Sequence, residues 1–89
     1  MPVYIVTYDL NKETKRPPIV EEVKKTDYAR LSESSYAIDT DESASEIYNR
    51  FEKHLDENDY LYVIALHQPY VGFGPQEVNE WLEGSLQHC

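Results

Sequence analysis

The sequence predicts an α+β domain of the ferredoxin-like type, with the element order β-α-β-β-α-β followed by an extra C-terminal helix. Two apolar runs predict its first and last strands: residues 3–8 and 60–67 are rich in Val, Ile and Tyr and are too short for helices. A capped amphipathic helix precedes the second run. In this arrangement the first and third strands lie at the centre of an antiparallel sheet, and both long helices cover one face.

The first strand and the first helix are separated by a polar loop. Residues 3–8 have the continuous apolar character of a strand that is covered on both faces. The loop ends at Pro17 and Pro18, and proline is tolerated in the first turn of a helix. We therefore predict a short helix over about residues 18–26. Its apolar face consists of residues at spacings of three and four: Ile19, Val20 and Val23.

Residues 27–40 place scattered apolar side chains among small polar ones. Two short strands joined by a tight turn near Glu33 and Ser34 explain this pattern better than one long strand. An Asn-Gly type of turn is absent from this stretch. The segment is therefore predicted as a hairpin of the second and third strands.

The second helix has a clear start signal. Ser43 and Glu46 have the spacing of a capping box, in which each side chain accepts a hydrogen bond from the other residue's backbone. Apolar residues then recur with helical periodicity, which predicts one buried face: Ala44, Ile47, Tyr48, Phe51 and Leu55.

The C-terminal part of the chain contains one more strand and one more helix. Residues 60–67 contain hardly a polar side chain, so we expect cover on both faces of this strand. A turn with a short extended piece at residues 70–73 follows, and Gly74 and Pro75 precede the last helix. Gly84 is a candidate C-terminal cap. The apolar face of this helix is predicted to contain Val78, Trp81, Leu82 and Leu86.

The fourth strand is an edge strand in the predicted topology, yet it has no protecting charge. An unprotected apolar edge implies pairing with another chain or cover by the chain's own C-terminal segment. Helices on one face also leave the other face of the sheet bare, which favours a second subunit or the last helix there. We therefore expect a homodimer, through either the strand edge or the sheet face.

Size and charge limit the function classes. With 89 residues the chain predicts one domain over 1–89, with a core of about 2–67 and a C-terminal segment with the last helix over 68–87. Seventeen acidic against eight basic residues give a net charge of −9, which disfavours binding to nucleic acid or to an anionic membrane. The single cysteine, Cys89, cannot form an internal disulfide. With no signal peptide or membrane-spanning run apparent, we expect a cytoplasmic protein.

Several short motifs in a fixed order resemble a known group of small proteins. They are "YDL" at the end of the first strand, the hairpin "LSESSYAID", the capped helix, and "DENDYLYVIAL". Together they resemble the small CRISPR-associated endoribonuclease-like proteins, the VapD-like toxins and the SinR-like proteins, over nearly the whole chain to about Leu66. The similarity is greatest to the SinR-like branch. The C-terminal segments "YVGF" and "EVNEWL" of this chain also resemble those of its members.

The resemblance implies a role for Asp9. In the nuclease-type relatives, the aspartate that closes the first strand is taken to bind a divalent metal near the two-fold axis of a dimer. A carboxylate doubled by symmetry suits Mg²⁺ or Mn²⁺, either of which activates water or polarises a phosphate. The alternative is that Asp9 only ends the strand and accepts hydrogen bonds from backbone groups of the following turn.

Two further sets of residues are candidates for nucleic-acid chemistry. Lys12, Lys15 and Arg16 lie in the loop after Asp9 and are candidate phosphate contacts; the alternative is a solvated loop. His67 follows the last strand, and it acts as a general base beside Asp9 only if the register of the sheet brings the two together.

Two function classes follow. The first is a non-catalytic, homodimeric interaction module whose acidic exterior binds another protein, such as a basic nucleic-acid-binding one. The second is a metal-dependent endonuclease acting on RNA or DNA, with Asp9 as the metal ligand. The net charge of −9 favours the interaction module, because it repels a phosphate substrate. In either class the sequence leaves the partner or substrate open.

Overall fold

The structure of the protein is a computed structural model that describes residues 2–87. The sheet has four strands: β1 (Val3–Asp9), β2 (Asp27–Ser32), β3 (Ser35–Asp39) and β4 (Tyr60–Leu66). They lie in the order β2-β3-β1-β4, and every neighbouring pair is antiparallel. This order is the ferredoxin-like topology, so the predicted fold class is confirmed. In chain order the elements are β1 (Val3–Asp9), a 3₁₀ turn (Glu13–Lys15), α1 (Arg16–Val23), β2 (Asp27–Ser32), β3 (Ser35–Asp39), α2 (Ala44–Glu52), β4 (Tyr60–Leu66) and α3 (Gln76–Ser85).

The first helix begins and ends earlier than predicted. It starts at Arg16, directly after the 3₁₀ turn, because Pro17 and Pro18 are accommodated within the first turn, where backbone N–H groups have no helical partner. It ends at Val23 because Thr26 turns back onto it: the Thr26 backbone N–H and its hydroxyl both donate to the Val23 carbonyl, at 3.0 and 2.8 Å. The side chain of Thr26 thus replaces the next helical hydrogen bond.

The hairpin and the second helix agree with the prediction. The strands β2 and β3 flank a turn at Glu33 and Ser34. The capping box at the start of α2 is formed, with Glu46 N donating to Ser43 Oγ at 3.2 Å and Ser43 N donating to Glu46 Oε1 at 2.9 Å. Of the predicted buried face, only Ile47 and Phe51 are buried, whereas Ala44 and Tyr48 are exposed. The helix ends at Glu52, and Leu55 packs against the core from beyond its end.

The main core lies between one face of the sheet and the helices α1 and α2. Alternate residues of each strand point to this face, as the period of a β-strand requires. The buried side chains of this core are Val6, Tyr8, Tyr36, Ile38 and Leu61 from the sheet, and Ile19, Val23, Ile47 and Phe51 from the helices.

The third helix covers part of the opposite face of the sheet. It contacts β2, and the indole Nε1 of Trp81 donates to Asp27 Oδ1 at 3.0 Å. Trp81 lies on the predicted apolar face of the helix, but it is only half-buried, at the β2 edge of the sheet. Gly84 lies inside the helix, so the predicted cap is wrong; the cap residue is Leu86. Four buried apolar residues outside the main core belong to this second layer: Val3, Ala29, Ala37 and Leu86.

One half-buried carboxylate in this second layer, that of Asp39, has a buried oxygen atom without a partner among the described residues. Asp39 is the cross-strand partner of Asp27, and its Oδ1 is buried without a hydrogen bond among the described residues. Burial raises the pKa of Asp39, and the nearby charges of Asp27 and Asp41 raise it further. This end of the sheet therefore concentrates acidic groups under α3.

The fourth strand is less covered than predicted. Its inner residues join the core, but Tyr60, Tyr62 and Ile64 on the other face are 62, 62 and 53% exposed. The reason is that α3 lies over β2, at the far edge of the sheet, and leaves the β4 side of this face open. Within residues 2–87 no strand forms at residues 70–73, and no helix is long and apolar enough to cross a membrane.

Candidate functional site

The strand-closing Asp9 lies at an exposed end of the sheet. It is the last residue of β1, and its cross-strand neighbour on β4 is Tyr60. Its carboxylate makes no hydrogen bond or ion pair with any residue of the described range 2–87. Within the same range, no group of three or more His, Cys, Asp or Glu side chains is arranged to hold a metal ion. Asp9 is therefore not part of a metal-binding cluster among residues 2–87.

The loop after β1 is held by a different aspartate from the one we predicted. Asp59, from the turn before β4, accepts a hydrogen bond from Asn11 N at 2.7 Å. Its other oxygen accepts from Lys15 Nζ at 2.7 Å and from Asp56 N at 2.9 Å. These contacts, led by the Asn11 amide and the Lys15 ammonium, lower the pKa of Asp59 to about 2. Asp59 therefore performs the turn-binding role that the sequence assigned to Asp9.

Two of the three candidate phosphate contacts are engaged within the protein. Lys15 forms ion pairs with Asp56 and Asp59. Arg16 donates to Glu13 Oε2 at 2.9 Å and to the Glu33 carbonyl. Its guanidinium also lies 5.9 Å from the centre of the Tyr8 ring, in a cation–π contact.

Lys12 is the third candidate, and it is exposed without a partner among the described residues. The loop thus presents one unengaged cation beside Asp9. The loop is therefore neither a cluster of free phosphate-binding cations nor fully solvated. Carboxylates of Glu13, Asp56 and Asp59 neutralise most of its positive charge.

His67 does not lie beside Asp9. In the register of β1 and β4, Asp9 pairs with Tyr60 at one end, whereas Val3 pairs with Leu66 at the other. Six residues of strand separate these ends, which corresponds to about 20 Å. The sheet register therefore excludes a hydrogen-bonded Asp9–His67 pair within one protomer.

A second set of charges, which we did not predict, links the two core helices. Glu22 of α1 is buried, and its carboxylate lies 3.1 Å from Arg50 Nη1 and 3.0 Å from His54 Nε2. Lys25 and Lys53 approach it at 3.2 and 3.5 Å. Burial alone opposes ionisation of Glu22, but the hydrogen bonds from His54, Lys25 and Arg50 outweigh it and lower its pKa to about 2.

Arg50 completes this network by binding a second carboxylate. Its Nε and Nη2 donate to the two carboxyl oxygens of Glu42 at 2.8 and 2.9 Å, and its Nη1 also donates to the Glu22 carbonyl at 2.9 Å. One signal in the sequence marks the site: Glu22 falls between Ile19 and Val23 on the buried face of α1. A carboxylate at such a position requires cations from the facing helix.

The open apolar surface of β4 is the other feature that stands out. The side chains of Tyr60, Tyr62 and Ile64 point to one face, since they alternate along the strand. The outer edge of β4 has no neighbouring strand within residues 2–87. The chain contains no Asp, Glu, Lys or Arg between Asp59 and Glu77, although 28% of all residues are charged. The β4 side chains on this surface are therefore uncharged, and the outer edge of the strand is unpaired within residues 2–87. Asp9 of β1 is the charged neighbour at the Tyr60 end.

Comparison with known proteins yields a structural neighbour. No family model matches the chain, and no curated protein matches it. The crystal structure of the hypothetical protein TT1823 from Thermus thermophilus is similar, with a TM-score of 0.68 and 24% sequence identity. The match covers 83% of this chain and 94% of the Thermus chain. The likeness shows the fold alone. It supports the ferredoxin-like assignment and leaves the resemblance to the SinR-like, VapD-like and CRISPR-associated proteins a prediction.

Proposed function

We propose that this protein is a non-catalytic interaction module of the SinR-like type that works as a homodimer. The observation that supports this most is the uncharged apolar surface of β4, where Tyr60, Tyr62 and Ile64 are each more than half exposed. Exposed apolar patches on small proteins mark protein interfaces, and an unpaired strand edge adds backbone hydrogen-bonding groups to the attraction. Lys15, Arg16 and Arg50 form ion pairs with carboxylates of the same chain. Fewer cations are then free to bind phosphate, which also favours a protein partner over a phosphate-bearing one.

The acidic exterior gives the dimer a preference for a basic protein partner. Some carboxylates, such as those of Asp59 and Glu42, bind cations of the same chain. The carboxylates of Asp41 and Glu57 are exposed. Exposed glutamates on α3 add to this field. A net charge of −9 attracts basic proteins over a range of about 8–10 Å at moderate salt and repels nucleic acid.

The dimer is tested by placing a charge on the β4 surface. We expect Ile64→Lys to raise the dimer dissociation constant by about 100-fold or more, because the new ammonium is desolvated without a partner. Sedimentation equilibrium over a wide range of protein concentration measures the constant. Ser32→Lys adds the same charge at the opposite edge of the sheet and is expected to change it by less than about threefold. A wild-type protein that stays monomeric at high concentration contradicts the proposal.

Metal-dependent cleavage of RNA or DNA is the second candidate function, and one observation favours it. The Asp9 carboxylate is exposed and has no partner among the described residues, so it is free to bind Mg²⁺ or Mn²⁺. The cations beside it argue against this candidate, because Lys15 and Arg16 are held by acidic and backbone groups.

A cleavage assay separates the two functions. We expect the wild-type protein to leave labelled single- and double-stranded RNA and DNA intact with Mg²⁺, Mn²⁺ or a chelator. Asp9→Asn and the exposed control Asp41→Asn are assayed beside it. Metal-dependent cleavage that Asp9→Asn abolishes and Asp41→Asn retains would establish Asp9 as the metal ligand and replace our proposal with the nuclease.

A further inference from the structure

Two apolar side chains in the segment between β4 and α3 are completely exposed. Val71 is 100% and Phe73 is 106% exposed, the highest values among the large apolar residues of the described chain. Only Gly72 separates the two residues in the sequence, and both line the same cavity. An aromatic side chain buries about 150–250 Å² when it is covered. Covering Phe73 would therefore contribute a large favourable free energy.

A cavity that matches these side chains lies beside them. It has a volume of about 340 Å³. Val71 and Phe73 form part of its lining, together with Leu66 at the end of β4 and Val78, Leu82 and Leu86 around α3. A cavity of about 150 Å³ with apolar walls is enough to hold a benzene ring. The space therefore accepts a phenylalanine ring together with a second, smaller side chain.

The positions of the projecting side chains and of the cavity favour a second copy of the chain as the occupant. A two-fold interface is self-complementary, so one patch must contain both the projecting group and the cavity that receives its counterpart. Phe73 stands at the rim of the cavity, and Leu66 connects the cavity with the exposed Tyr62 and Ile64 on the same face of β4.

Charge supports the same choice. Two chains of net charge −9 repel one another, and close contact is least costly where neither chain has charges. The stretch 60–76 contains no Asp, Glu, Lys or Arg. Glu83 of α3 lies beside this stretch, and its carboxylate accepts a hydrogen bond from the Tyr70 hydroxyl at 2.8 Å. A basic partner protein gains little from this stretch and would bind the acidic surfaces elsewhere.

We infer that Phe73 and Val71 of each protomer pack into the partner's cavity between β4 and α3. The inference rests on the proposed homodimer and identifies the side chains that stabilise it. The contact is reciprocal: two phenylalanine rings and two cavities are buried across one two-fold axis, continuous with the β4 surface.

Substitution of the aromatic side chain tests the contact. We expect Phe73→Ser to raise the dimer dissociation constant at least 30-fold in sedimentation equilibrium, as for the loss of a central aromatic contact. Phe73→Leu retains an apolar side chain and is expected to raise it by less than about fivefold. Circular dichroism of both variants checks that the fold is retained; Phe73 is exposed in the protomer, so we expect unchanged spectra.

Fluorine NMR locates the ring directly, since the chain has only two phenylalanines, Phe51 and Phe73. In protein labelled with fluorophenylalanine, dilution through the dissociation constant should move the Phe73 resonance towards the value of a solvated ring and leave that of the buried Phe51 in place. The Phe73→Leu variant assigns the signals.

The outcomes separate this inference from the proposed function. A wild-type dimer whose dissociation constant is unchanged by Phe73→Ser overturns the contact and leaves the homodimer intact. A Phe73 resonance that is equally shielded in the monomer places the ring in its own protomer's cavity, which also overturns the contact. A wild-type protein that is monomeric at every concentration refutes the homodimer itself.

Discussion

Replacing Glu22 by glutamine is expected to lower the free energy of unfolding at pH 7 by about 2–4 kcal/mol. The side chain is buried at the α1–α2 contact and accepts hydrogen bonds from Arg50 and His54. Glutamine has nearly the same shape but no charge, so Arg50 and the two nearby lysines lose a counter-ion in a partly desolvated site. Urea denaturation of both proteins, at one fixed protein concentration, measures the difference.

The effect of Glu22→Gln depends on pH in a defined direction. The Glu22 carboxyl has an ordinary pKa of 4.5 and a pKa of about 2 in the folded protein. A lowered pKa means that its contribution to stability is fully present above pH 4.5 and is lost as the pH falls from there towards 2. The shift corresponds to roughly 3 kcal/mol. The difference in stability between the wild type and the variant should therefore shrink over this range.

Glu21→Gln is the matched control for this prediction. It removes the same charge from the neighbouring position of α1, where the side chain is exposed. Its expected effect is within about 0.5 kcal/mol and nearly independent of pH. A Glu22→Gln penalty that is equally small, or that stays constant between pH 7 and 3, would contradict a stabilising role of the buried carboxylate.

Phe51→Ala is expected to cost about 3–5 kcal/mol of unfolding free energy, a large share of the total for a domain of this size. Phe51 is fully buried in the main core, where it meets side chains of both helices and the sheet. Its removal forfeits the transfer free energy of the ring and leaves a cavity that the surrounding side chains fill only in part. Thermal and urea unfolding measure the loss.

The other phenylalanine provides a control of identical chemistry. Phe73→Ala removes the same atoms from a fully exposed position, so below the dissociation constant of the dimer it should change the unfolding free energy by less than about 0.5 kcal/mol. If Phe73→Ala destabilises the isolated protomer as much as Phe51→Ala does, the ring packs within its own chain in solution.

Much of the fold is determined by residues close together in the sequence. The capping box of Ser43 and Glu46 formed as predicted, because both partners lie within one helical turn. The turn at Glu33 and Ser34 is likewise a local feature of the hairpin. Such short-range patterns also predicted the order of the elements, and this order predicts the ferredoxin-like sheet.

Charge pairing across the fold was not predictable in the same way. Asp59 and Lys15 are 44 positions apart, and they meet only because β4 pairs with β1 and brings the turn before β4 next to the loop after β1. Glu22 and Arg50 meet across two packed helices. A sequence shows that charged residues are present, but the strand register and the helix packing decide which of them neutralise one another.

The sequence by itself determined the fold class, the main core and an uncharged stretch from 60 to 76. Only the tertiary structure decided how these features are used: that α3 covers the β2 side of the sheet, that β4 keeps Tyr62 exposed, and that His67 and Asp9 lie at opposite ends. The physical reason is the range of the interactions. Helix and strand periodicity depends on neighbours a few residues away, whereas exposure and proximity depend on the placement of whole elements in space.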